Sequence, residues 1–145
     1  MTTTPLPAAP VLSPVELTAR WSDLLLNPPT FSRRSLWLGW MGADGVMLPL
    51  LAPVDDLPHV PDPRAIAGML HLHQAVVENT GAPLHLATAL SRPGGPAVTA
   101  NDVAWAEALR TGLGERVDGG WSLHLAASGT VTPMVNPPAW AWAWG

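Results

Sequence analysis

Cysteine is absent from this chain of 145 residues, which excludes disulfides, thiolate metal sites and cysteine nucleophiles. Lysine and tyrosine are absent as well, and phenylalanine and isoleucine occur once each. The seven basic residues are therefore all arginine, and apart from Arg33-Arg34 they are scattered along the chain. No basic stripe exists to neutralise a phosphate backbone, so nucleic acid is not an expected partner. Long apolar runs are missing too. No stretch approaches the roughly 18 apolar residues of a membrane span, so no membrane partner is expected. The opening "MTTTPLPAAPVLSP" lacks the basic and apolar regions of a signal peptide, which makes a cytoplasmic protein the expectation. The richness in Ala, Pro, Gly, Arg and Trp follows GC-rich codons and points to a high-GC bacterium.

What is present is enough for one folded domain. Hydrophobic residues make up 48% of the chain and charged residues 12%, with a formal net charge of -4. That balance is too apolar and too weakly charged for a disordered chain. Residues 1–12 are Pro/Thr/Ala-rich and are expected to form a flexible N-terminal segment. An N-terminal helix is expected within 13–30. Ser13 and Glu16 have capping-box spacing, Pro14 suits the first helical position, and Leu17, Trp21, Leu24 and Leu25 make one apolar stripe. "SLWLGWMGADGVMLPLLAP" predicts a β-hairpin turning at Gly42–Gly45, with Leu36, Leu38 and Trp40 on one face and Trp37 and Met41 on the other.

A second helix is expected from Asp62-Pro63 to Gly81, with Ile66, Met69, Leu70, His73 and Val77 on one face. "APLHLATALS" reads as a buried strand. "TANDVAWAEALRTGLG" reads as a third helix with Trp105, Ala108, Leu109, Gly112 and Leu113 inside. "GWSLHLAASGTVTPMV" gives a last strand, or a pair turning at Ser128-Gly129. Strands alternating with helices predict an α/β fold, a mixed β-sheet flanked by helices. The tail 136–145 ends in "AWAWAWG", where Trp140, Trp142 and Trp144 share one face of any extended segment. Such rows are favoured at interfaces, so these three are the candidate interaction residues.

In order and local motifs, residues 33–134 resemble the JAB/MPN metalloprotease-like domain in its RadC-like branch. "DPRAIAGMLHLHQAV" sits where that family's helix begins with a Pro-Arg pair. "ATALSRPGGPAVTAND" sits at its His-x-His-Pro turn, which leads to Ser-x-x-Asp at the next helix. "SLHLAASGTVTPM" sits at its last strands. The resemblance implies a three-layer, cytidine-deaminase-like architecture for 31–135. It also implies a zinc site of two His and one Asp, with a Glu to handle the proton of bound water.

The departures from that pattern bear on function. The two His positions fall on Leu90 and Arg92, and the Glu position falls near Arg34 or Ser35. Leucine cannot ligate, and arginine carries a fixed positive charge. Asp102 alone remains of the ligands, with Thr99 in place of the family's Ser, and one carboxylate does not hold zinc. Thr99 and Asp102 also have a plain role as helix caps. An Arg92–Asp102 ion pair in the vacated position is expected. No cofactor or metal is therefore expected. The resemblance then implies a catalytically inactive domain, a pseudoenzyme serving protein–protein interaction, scaffolding or self-association.

Two alternatives stay open. One is a metal-dependent hydrolase with a rearranged site at His85, His124 and Asp102. The other is a small-ligand module with a pocket lined by Trp37, Trp40 and Trp105. His71 and His73 are two apart on a helix and point away from each other. Asp55, Asp56, His59 and Asp62 form a loop cluster of possible ligands. No nucleophile elbow, P-loop or dinucleotide fingerprint is present.

Overall fold

A computed structural model describes residues 9–26 and 31–138. The elements run α1 (Pro14–Leu25), β1 (Ser35–Met41), β2 (Met47–Val54), α2 (Pro63–Thr80), β3 (His85–Ser91), α3 (Ala100–Leu113), a 3-10 turn (Gly114–Arg116), β4 (Trp121–Ala127) and β5 (Thr130–Val135). The five strands form one sheet in the order β2-β1-β3-β4-β5. Only β3 and β4 run parallel, and α3 makes the crossover between them. The fold is α/β with a mixed sheet, as the alternation of patterns predicts. Among the described residues, no helix is long and apolar enough to cross a membrane.

Local chemistry sets the element ends. Ser13 Oγ accepts from Glu16 N, but the Glu16 carboxylate turns to Leu12 N at 2.6 Å, so only half of the expected capping box forms. Asp62 caps α2 through Arg64 N, and Gly81 closes it with φ of 74°, a conformation that glycine adopts without steric cost. The β4–β5 hairpin turns through Ser128 and Gly129, both at positive φ as a tight two-residue turn requires. The outer strands carry Pro49 and Pro53 in β2 and Pro133 in β5. Proline offers no N–H to a further strand, so these edges resist sheet extension.

The sheet separates two cores. Leu36, Leu38, Trp40, Leu86, Leu90, Leu123 and Leu125 pack with Ile66 and Met69 of α2 and with Trp105, Leu109 and Leu113 of α3. The opposite face is built from small residues, including Ala87, Ala89 and Ala126, and is covered by Leu17, Trp21 and Leu25 of α1. Small side chains there leave room for the Trp21 indole, which is fully buried. The expected flexible segment 1–12 is described only from residue 9. There it is pinned: Val11 is buried and its N–H donates to Gly45 O at 2.8 Å. The hairpin turn thus supplies both a hydrogen bond and a pocket, which a Pro/Ala composition does not reveal.

Candidate functional site

The junction where β3 leaves the sheet and α3 begins carries the densest polar network among the described residues. Arg92 follows the last residue of β3, and its N–H donates to Ala126 O of β4 at 3.2 Å. The turn then runs through Pro93, Gly94, Gly95 and Pro96 to Thr99, the N-cap of α3. Thr99 Oγ1 accepts from Asp102 N, and Asp102 Oδ2 accepts from Thr99 N at 2.8 Å, a complete capping box. The capping role expected for both residues is therefore present.

The same carboxylate receives Arg92. Its Nε donates to Asp102 Oδ1 at 2.8 Å, and its Nη2 donates to Oδ2 at 2.8 Å. Nη1 donates to Pro93 O and Gly95 O, and Nη2 also to Ala97 O. A guanidinium has five N–H groups, and all are used here. Arg92 is 3% exposed and Asp102 0%. Burial by itself raises the Asp102 carboxyl pKa. The hydrogen bonds from Arg92 and from Thr99 N–H, with the charge of Arg92, outweigh it and hold the group below the ordinary carboxylate value. The ion pair expected from sequence is thus formed, and it also organises the turn. Leu90 is fully buried among the leucines of the α2/α3 core and contributes packing alone.

A second guanidinium approaches from β1. Arg34 Nη1 lies 3.6 Å from Asp102 Oδ1 but makes no hydrogen bond, although it is buried. Arg34 Nη2 is 3.4 Å from His59 Nδ1, and Asn101 Nδ2 is 3.2 Å from the same nitrogen. Arginine cannot accept, so His59 Nδ1 serves as acceptor, and its one lone pair faces two donors. The loop bearing His59 is held by Leu57 N to Arg34 O at 2.9 Å and by Trp105 Nε1 to Pro58 O at 3.2 Å. An open cavity of about 560 Å³ lies beside it, lined by Ser32, Arg33, Arg34, Asp56, Leu57, His59, Pro93 and Gly94. Ser35 Oγ donates to Asp55 at 2.7 Å, which leaves Ser35 a structural role at this rim.

The buried histidines serve the core instead. His85 Nδ1 faces Gly119 O at 3.0 Å and must donate to it, so Nε2 accepts from Ser122 Oγ at 2.9 Å. His124 Nε2 lies 2.9 Å from Thr18 Oγ1, whose own hydrogen goes to Pro14 O. Nε2 therefore carries the proton, and Nδ1 is left as a buried acceptor without a partner. Burial holds both rings neutral and lowers each pKa to about 4. His73 accepts from Trp40 Nε1 at 3.1 Å, and its pKa is also lowered by burial. His71 is exposed on the opposite side of α2, as its spacing from His73 predicts.

Two expectations are corrected here. Among the described residues, no three His, Asp or Glu side chains come together as a metal ligand set. His85, His124 and Asp102 are each committed to other partners, and Asp55, Asp56, His59 and Asp62 do not converge. The proposed tryptophan pocket is absent as well. Trp40 and Trp105 are fully buried in the α2/α3 core, whereas Trp37 lies on the other sheet face and donates to Ser91 Oγ at 2.9 Å. Successive strand residues point to opposite faces, so Trp37 and Trp40 cannot line one pocket. Trp140, Trp142 and Trp144 lie outside the described residues.

Sequence reasoning placed Arg34 near this junction but not Asn101 or the second approach to Asp102. No local signal carries it, because His59 and Asn101 meet only through the packing of their loop and helix. Compared with known proteins, the chain matches no family model, no curated protein and no solved structure.

Proposed function

We propose that this is a non-catalytic domain that works through protein–protein contact, a degenerate JAB/MPN-like module of the RadC-like kind. The observation that carries this reading is the saturation of Arg92. Its guanidinium stands on the only carboxylate at the junction that the resemblance retains as a ligand, and it uses every N–H on Asp102 and the turn carbonyls. A fixed cation in that place neutralises the carboxylate a metal ion would hold, and leaves no open coordination position for water. The histidines that a rearranged metal site would need are held neutral in core hydrogen bonds.

The contact half of the reading draws on the outer surface of α2 and α3. An open groove of about 420 Å³ runs there, with an apolar floor of Ile66, Ala67, Leu70 and Ala108 and a polar rim of His71, Gln74, Thr111 and Arg116. Apolar surface of this kind is more often covered in use than left in water.

The test is metal content of the purified, untagged chain after dialysis against zinc and then against metal-free buffer, by inductively coupled plasma mass spectrometry. Less than one zinc in ten chains is expected. One tightly held zinc per chain would overturn the reading and return the histidines to suspicion as ligands.

A further inference from the structure

We infer that the cavity beside Arg34 is a binding site for a single carboxylate group. Three observations converge on it. The cavity is open and of a size to admit a small ligand, and two arginines line it. Its lining sets two guanidiniums against one carboxylate, Asp56, and Arg34 is poorly served: its Nη2 shares the one lone pair of His59 Nδ1 with Asn101 Nδ2, and its Nη1, buried behind the cavity, has no hydrogen bond. The buried charges do not cancel either, since two guanidiniums stand on the one carboxylate of Asp102.

A carboxylate entering here accepts from Arg34 Nη2 and from Arg33. Its planar pair of oxygens matches the guanidinium fork, and charge-assisted bonds of this kind are about twice as strong as neutral ones. The acidic side chains at the rim set the charge that the site accepts. Asp55 and Asp56 lie 3.9 and 3.8 Å from Arg33. Both are solvated, so their field is screened more than that of the buried group. They tolerate one negative charge and penalise two, which favours a carboxylate over a phosphate dianion. The ligand is thus a free small acid, or the side-chain or terminal carboxylate of a polypeptide. None of these observations depends on whether the domain is catalytic, so the site stands or falls apart from the non-catalytic reading.

The test is a titration followed by amide and side-chain NMR signals of Leu57, Gly94 and Asn101. The probes are sodium acetate, N-acetyl-glycyl-glycine and sodium phosphate, with chloride holding ionic strength constant. Acetate is expected to give saturable shifts that chloride does not. Arg34→Gln is expected to weaken acetate by about tenfold. Arg33→Gln, at an exposed position that leaves folding intact, is expected to weaken it by a smaller factor. Tighter binding of the peptide than of acetate assigns the site to a polypeptide, and equal binding to a free acid. No saturable shift, or acetate binding unchanged in Arg33→Gln and in any folded Arg34→Gln, would overturn the site. Phosphate binding tighter than acetate would overturn its assignment to a carboxylate.

Discussion

Two guanidinium groups reach the carboxylate of Asp102 from different elements, and their surroundings differ. Arg92 comes from the end of β3, is 3% exposed, and has an acceptor for every N–H within its own turn. Arg34 comes from the approach to β1, stands 3.6 Å away, and meets only the shared lone pair of His59. The first is buried where the chain itself folds around it. The second lies where three separate segments meet beside an open cavity. A guanidinium enclosed by one continuous turn finds its acceptors automatically, because backbone carbonyls recur at every residue. One placed between segments finds only what their packing happens to bring. The contrast separates a structural ion pair from a group with binding capacity to spare.

The largest effect predicted for the molecule fixes the conditions for testing that contrast. His85 and His124 have native pKa values of about 4, below the ordinary value of 6.5. The unfolded chain therefore binds more protons than the native one between these limits. Stability is full above pH 6.5 and falls as pH drops toward 4, by up to about 3 kcal/mol per histidine. Urea unfolding at stepped pH measures this. A flat profile between pH 6.5 and 4 would show that the two rings are not held neutral. Asp102 owes much of its lowered pKa to Arg92, and burial by itself raises it, so the cost of losing Arg92 should be smaller at pH 5 than at pH 7.5.

Asp102→Ala comes next. It leaves Arg92 buried without a counter-charge and should cost about 3–5 kcal/mol in urea unfolding. A loss below about 1 kcal/mol would show that the turn carbonyls alone satisfy Arg92. Arg92→Met should cost somewhat less, about 2–4 kcal/mol, because Arg34 and Thr99 N–H still face the carboxylate. Greater backbone mobility in NMR relaxation at Gly94, Gly95, Ala97 and Val98 should accompany it, since the carbonyls of Pro93, Gly95 and Ala97 lose a common donor. Arg34→Gln should cost about 1 kcal/mol or less. If Arg34→Gln proved as costly as Arg92→Met, the two guanidiniums would be equivalent and the comparison would fail. Arg33→Ala, at an exposed ion pair, should stay within about 0.5 kcal/mol.

Much of the scaffold was legible because it follows from short-range rules. Thr99 and Asp102 sit three apart, so their capping box needs no partner from elsewhere. Asp62-Pro63 and Gly81 bracket α2 for the same reason. Leu36, Leu38 and Trp40 alternate with Trp37 and Met41, and both sets are covered, as an internal strand requires. Even the Arg92–Asp102 pair spans only one turn. The contacts of α1 were not legible in this way. Its apolar stripe was plain, but not that Trp21 would fill a face made of alanines from β3 and β4. The burial of Val11 against the hairpin turn was equally hidden.

Periodicity, caps and turn residues determined by themselves which segments are helix and strand, which faces are apolar, and that Asp102 closes a helix. These depend on neighbours within about four residues, whose geometry the backbone dictates. Tertiary structure alone decided that β3 pairs with both β1 and β4, and that His85 and His124 are consumed by core hydrogen bonds. It also brought Arg34 and Asn101 to the same nitrogen of His59. Each of these contacts joins residues tens of positions apart. Only the packing of whole elements sets such distances, because loop-closure entropy must be overcome by burial elsewhere before any of them can form.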